Sequence, residues 1–286
     1  MIYSLCDHER YIYHYTKASM ARDFILKNQT LRLSSFTRTN DPKESKEWKF
    51  DIGTNHPQDL DVDDFQKKSQ WLSCALKTRT KLACFSLDRS PLTGDHTLDI
   101  LNRGLAKPRM WAQYADNHQG VCLVIDKAKL LEKIKEDFQL CLCLFGPVQY
   151  RNRDIVRPLG PHEFMIDGDF LEEIGPEKYI HNHLQRYCKE LFFEKLLDWR
   201  DEEEWRIVIF AETDADLYIS IKESLVGVVH GACIESNESD QILTMTEPWD
   251  IEHMGLTWSN SCPWYDIGNF KWSKESRLML KRMQQK

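Results

Sequence analysis

No CxxC pair occurs in the 286 residues, and the nine cysteines are an odd number. A zinc ribbon or finger needs ligand pairs at short spacing, so a structural zinc site is not expected. An odd count inside apolar runs also argues against a disulfide framework and for a reducing compartment. Gly-rich phosphate loops are missing too: neither a Walker pattern nor GxGxxG is present. Long apolar runs are absent. The stretches Leu140 to Phe145 and Ile207 to Ala211 are far too short to cross a bilayer, so no membrane role is expected. Asp7, His8, Glu9 and Arg10 near the start do not fit a signal peptide, and a cytoplasmic location is expected. An excess of positive charge is also lacking. With 38 basic against 45 acidic residues the formal charge is −7, which disfavours non-specific coating of nucleic acid but leaves room for a local basic groove.

What is present is an ordinary globular composition. Hydrophobic residues make up 42% and charged residues 29%, enough to bury a core and too apolar for a disordered chain. Short strands are expected at Tyr11 to Tyr15, Gln29 to Ser35, Lys81 to Leu87, Gly120 to Asp126, Trp205 to Ala211 and Leu225 to Ala232, with Leu140 to Tyr150 extended. Helices are expected at Lys17 to Asn28, Phe65 to Leu76, Pro108 to Asn117, Ala128 to Phe138 and His181 to Leu197. The segment Thr37 to Glu44 reads as a shaped turn, because Pro42 disfavours helix at Asp41. Arg151 to Pro176 reads as irregular and the chain beyond Pro248 as aromatic and loop-rich. A basic amphipathic helix is expected over Lys274 to Lys286. Strands and helices alternate without a strict rhythm, so an α+β class is expected, in one domain over 1–286 with a core at 11–232 and an extension at 233–286.

Three groups of residues can carry chemistry. On the opening strand His14 and Thr16 share one face and Tyr13 and Tyr15 the other. A histidine beside a hydroxyl can bond a ribose diol or a phosphate; the alternative is a hydrogen-bonded core histidine. Cys84-Phe85-Ser86 precedes Met110-Trp111-Ala112-Gln113-Tyr114, whose aromatic rings either stack on a heterocycle or pack the core. Tyr114 and His118 have polar tips that need partners. Glu202-Glu203-Glu204-Trp205-Arg206 runs into an apolar strand, and in a strand register Glu202, Glu204 and Arg206 share a face. Crowded carboxylates raise one another's pKa and supply a base; the alternative is a solvated charge run. The pair His181 and His183 lacks a third metal ligand nearby, and Arg151, Arg153 and Arg157 form a basic stretch.

Taken together, Tyr13-His14-Tyr15-Thr16, Leu31 to Phe36, Asn40-Asp41-Pro42, Cys84-Phe85-Ser86, Met110-Trp111 to Tyr114-Ala115, Asn117 to Val121 and Glu204-Trp205-Arg206 resemble a bacterial family, the domain of unknown function numbered twenty-nine seventy-one. The departure is Lys43, where an aromatic is expected after Asn-Asp-Pro. That family in turn resembles ADP-ribosyltransferases. The resemblance implies a split antiparallel sheet with flanking helices and NAD as cofactor. It implies NAD contacts from His14, Tyr15, Thr16, Ser35, Phe85, Ser86, Trp111 and His118, and catalytic roles for Glu204, Glu202 and Tyr114. Trp111 and Tyr114 would exclude water. It further implies a toxin–antitoxin or phage-defence setting, an RNA or DNA base as acceptor, and an antitoxin or chaperone protein as partner. Two other readings stand beside it. One is a metal-independent ribonuclease using His14, His118 and Glu204. The other is a non-catalytic interaction or sensor module docking through the basic C-terminal helix.

Overall fold

The computed structural model describes residues 2–5, 7, 9–56, 61–152 and 162–273. The strands are β1 (Tyr11–Thr16), β2 (Thr30–Ser35), β3 (Asp51–Gly53), β4 (Thr80–Ser86), β5 (Val121–Asp126), β6 (Leu142–Pro147), β7 (Gln149–Tyr150), β8 (Met165–Asp167), β9 (Glu194–Lys195), β10 (Glu204–Phe210), β11 (Leu217–Ser220), β12 (Leu225–His230), β13 (Glu252–Ser259) and β14 (Cys262–Tyr265). The helices are α1 (Ala18–Met20, continued by a π-helical stretch Ala21–Leu26), α2 (Pro42–Ser45), α3 (Val62–Arg79), α4 (His96–Asp99), α5 (Pro108–Tyr114), α6 (Lys127–Asp137), α7 (Gly168–Ile174), α8 (Pro176–Phe192) and α9 (Ser236–Thr246). The class is mixed α and β: a ten-stranded sheet with flanking helices, plus two small two-stranded pairs.

The sheet is not wholly antiparallel, as the resemblance implies it should be, because β12 and β13 run parallel. Residues 252–265, expected to be loop, add β13 and β14 to this sheet, and α9 precedes them. Within the expected irregular region, α7 and β8 are regular, whereas Arg153 and Arg157 lie outside the described residues. The expected helix at Lys274 to Lys286 lies outside them as well. Helix α8 starts at Pro176, a residue suited to a first helical turn, and ends at Phe192, so Lys195 is on a strand.

Strand β4 is the hub. One edge pairs with β10 over seven residues, Glu204↔Ser86 through Phe210↔Thr80. The other edge meets β1 at Tyr13↔Ser86 and β2 at Ser34↔Leu82 and Ser35↔Lys81. Between those contacts Ala83, Cys84 and Phe85 have no described strand beside them on this second edge. The sheet forks there: β1 leads to β5, β12, β13 and β14, and β2 leads to β11.

Alternation along the strands puts different cores on the two faces. Ile12, Leu123, Ile125, Ala83, Phe85, Ile207 and Ile209 face α6, α9 and the π-helical stretch. On the opposite face, Leu82, Val208 and Phe210 meet α3 and α8, while Tyr11, Tyr13, Tyr15 and Val124 meet Trp111 of α5. The fork connects these faces.

Candidate functional site

A cavity of about 790 Å³ occupies the fork, within the ~300–1,000 Å³ range common for ligand sites. His14 and Thr16 line it from one face of the sheet, beside Phe24 and Ile25. Glu44, Lys195, Glu202, Glu204 and Tyr114 line it from the other.

The carboxylate end is a buried ionic cluster. Glu204 and Arg206, two apart on β10, share a face, and the Arg206 guanidinium bonds both Glu204 oxygens. Arg206 Nη2 also pairs with Glu44 Oε1, and Nη1 donates to the Phe192 carbonyl at 2.7 Å. Lys195 Nζ lies 2.8 Å from Glu202 Oε2 and 2.6 Å from Glu204 Oε2. Tyr114 donates to Glu202 Oε1 at 2.8 Å. Glu202 does not belong to the strand. It closes the turn Leu197–Glu202, and Glu203 then adopts a left-handed backbone with φ of 45°. That kink sends Glu203 outward to Arg89, at 2.8 Å, while its two neighbours stay buried.

The two inner carboxyls are driven apart. Burial pushes the Glu202 carboxyl up; Lys195 opposes this and the Glu204 charge reinforces it. Burial would also raise Glu204, but Arg206 and Lys195 outweigh it and hold this carboxyl far below the usual range. Adjacent carboxyls separated in this way divide into a proton carrier and a fixed charge. Lys195 is held protonated: burial works against its charge, and Glu204, Glu44 and Glu202 prevail.

On the other face, His14 Nδ1 lies 3.0 Å from the Cys84 carbonyl. A carbonyl only accepts, so Nδ1 carries hydrogen. Burial lowers the His14 pKa, and the neutral ring keeps Nε2 as an acceptor.

Of the residues singled out from the sequence, His14, Tyr15, Thr16, Phe85, Tyr114, Glu202 and Glu204 line this cavity. Tyr15 has its hydroxyl committed elsewhere, donating to the Gly104 carbonyl at 2.6 Å. Ser35, Ser86, Trp111 and His118 are not in the lining. Ser86 is buried and donates to the Glu202 carbonyl at 2.9 Å, which anchors the turn carrying that carboxylate. Ser35 bonds Thr37 and the Lys77 carbonyl. Trp111 belongs to the core, with its indole N–H on the Leu105 carbonyl, so it cannot shield the cavity. His118 stacks on Trp111 and meets Trp258 edge-on, outside the lining that holds His14 and Glu204, so the cavity lacks the second histidine of the ribonuclease reading. His183 is buried on the Glu163 carbonyl and His181 lies near Glu212. Among the described residues no group of three or more metal-binding side chains forms.

Lys195 and Glu44 carried no signal in the sequence. Lys195 sat inside an expected helix, and Glu44 ended an expected turn. That turn is a short helix: Asp41 caps it by accepting from the Lys43 N–H at 2.9 Å, and Pro42 occupies its first position. Lys43, where an aromatic was expected, donates to the carbonyls of Glu190 and Glu194 and pairs with the Glu194 carboxylate. It thereby ties α2 to the strand that bears Lys195.

Residues 110–207 match the family model described as "Protein of unknown function (DUF2971)". The match runs from Met110 to Ile207, so it includes Tyr114, Lys195, Glu202, Glu204 and Arg206. No curated protein and no solved structure matches the chain.

Proposed function

We propose that the cavity binds NAD and transfers its ADP-ribosyl group, with an RNA or DNA base as acceptor, in a bacterial toxin–antitoxin or phage-defence role. The observation that carries this reading is the pair Glu202 and Glu204, buried at the lip of a forked sheet with their proton affinities driven in opposite directions. The fork at β4 supports an ADP-ribosyltransferase-like fold, in which a dinucleotide lies across a split sheet.

NAD supplies an activated N-glycosidic bond. Its cleavage leaves positive charge on the ribose, as in glycoside hydrolysis. In this reading Glu204, itself buried and kept ionised by Arg206 and Lys195, stabilises that charge. Glu202, with its proton affinity raised, takes the proton from the attacking nitrogen or oxygen of the acceptor. Tyr114 and Lys195 orient Glu202. His14 Nε2 accepts from a ribose hydroxyl on the other face. At the mouth, Phe24 and Tyr218 are 56% and 58% exposed. With Arg32 and Arg38 in the same lining, they supply ring faces and cations for a single-stranded acceptor.

The test uses NAD labelled in its adenylate half, incubated with purified protein and fractionated lysate. Label is expected in a nucleic-acid fraction. Glu204→Gln is expected to lower the rate by ~10²–10⁴-fold, the scale of a positioned catalytic group. Absence of both transfer and NAD binding overturns the proposal and leaves the non-catalytic module standing.

A further inference from the structure

Four exposed side chains line the mouth of the cavity: Phe24, Arg32, Arg38 and Tyr218. Phe24 comes from the π-helical stretch and Tyr218 from β11, and neither ring meets another aromatic ring among the described residues. Tyr218 and Arg32 are direct cross-strand partners on β11 and β2, so their side chains lie side by side on one face. Arg38, in the turn that follows β2, donates from Nη1 to both Asp216 oxygens at 3.2 and 2.9 Å. Arg32 Nη1 lies 3.7 Å from Asp216 Oδ2, and its guanidinium donates no hydrogen bond among the described residues. The two arginine side chains are 49% and 57% exposed, and Asp216 is 17% exposed. One carboxylate thus holds two arginines beside a free ring, at an opening.

We infer that this mouth is a docking surface for a single strand of nucleic acid, on which Asp216 stands in for a backbone phosphate until the strand arrives. This rests on the reading of the cavity as one that serves a nucleic-acid acceptor. The guanidinium fork fits phosphate oxygens as it fits a carboxylate. An exposed ion pair is weak, so an incoming phosphate takes the place of Asp216 at little cost. Arg32 has its donors open already. The rings set the form of the polymer. A duplex keeps its base faces inside its own stack, so only an unpaired base reaches Phe24 and Tyr218. The net charge of −7 gives the rest of the chain no general attraction for a polyanion, which concentrates affinity on these arginines.

The experiment measures fluorescence anisotropy with a labelled oligothymidylate of about 12 nucleotides, alone and annealed to oligoadenylate, without NAD. A surface that reads charge alone prefers the duplex, which carries more phosphates. The single strand is expected to bind roughly tenfold or more tightly than the duplex, the scale of stacking on one base. Tyr218→Ala is expected to weaken single-strand binding by about 5- to 100-fold and to leave duplex binding unchanged. Asp216→Asn is expected to tighten single-strand binding by about 2- to 5-fold, the scale of an exposed ion pair. Equal or tighter binding of the duplex by wild type overturns the inference, as does an Asp216→Asn protein that binds the strand no more tightly. NAD binding, followed by calorimetry, separates the two readings. NAD bound without the strand overturns the docking surface and leaves the NAD site. The strand bound without NAD supports the surface and overturns the transfer reaction. The wild-type comparison of strand and duplex decides the matter even if a variant does not fold.

Discussion

Two buried ionic clusters sit on the same face of the sheet, one closed and one open. In the closed cluster Arg103 donates to Asp88, to the Tyr13 hydroxyl and to the carbonyls of Tyr3 and Leu5. Tyr13 donates to Asp88 at 3.0 Å, and the Gly104 N–H donates to the same carboxylate at 2.6 Å. Neither Asp88 nor Arg103 reaches the cavity. In the open cluster Arg206 and Lys195 hold Glu44, Glu202 and Glu204 at the cavity wall, with one oxygen unpartnered and one carboxyl raised in proton affinity. Both are buried and built on an arginine–carboxylate pair. What separates a fastening from a candidate site is whether the hydrogen bonds close on themselves.

The sharpest way to break the comparison is to open the closed cluster. Arg103→Leu strands a buried Asp88 and is expected to cost about 3–5 kcal/mol of stability, measured by urea unfolding. Glu202→Gln should give the opposite balance: no loss of stability at neutral pH in urea unfolding and, for the proposed reaction, about a 100-fold lower transfer rate from the missing proton acceptor.

Acid–base behaviour sharpens this contrast. The folded-state pKa of Glu202 is raised, so its favourable contribution is present below the unfolded value of 4.5 and is lost as pH climbs through the raised value. Glu202→Gln should therefore gain stability relative to wild type above pH 4.5. Glu204 has the reverse sign. Its contribution is present above 4.5 and is lost as pH falls toward its depressed value, so Glu204→Gln should lose least, relative to wild type, in acid. Parallel unfolding curves for the two variants across pH would contradict the division of the carboxyls. The smallest effect is expected for Tyr114→Phe, which removes one hydrogen bond to Glu202: about 1 kcal/mol in stability and roughly a tenfold drop in rate.

Much of the framework was legible in the sequence because it is local. The runs around Ile12, Leu82, Leu123 and Ile207 announce central strands, and Glu204 with Arg206 on one face follows from a two-residue period. Residues 252–259 were legible and were missed: Met254, Leu256 and Trp258 alternate with His253, Gly255, Thr257 and Ser259, the two-residue period of a strand, and the segment pairs with β12. The triple glutamate was ambiguous. A charge run becomes a buried site only when β4 and β6 flank β10 on both edges. Lys195 and Glu44 were invisible because their partners lie on other elements, and no short-range pattern encodes such a meeting. Trp111 shows the converse: its helical spacing left stacking and core packing open, the resemblance implied a shielding role, and it packs the core.

The fork in the ladder has a last consequence. Along Ala83 to Phe85 the wall of the opening is main chain, and the Cys84 carbonyl meets a histidine there instead of a neighbouring strand. Peptide groups are the same whatever side chain they bear. Mutational drift at those three positions can repaint the channel, but only a change that swings β2 against β1 can shut it.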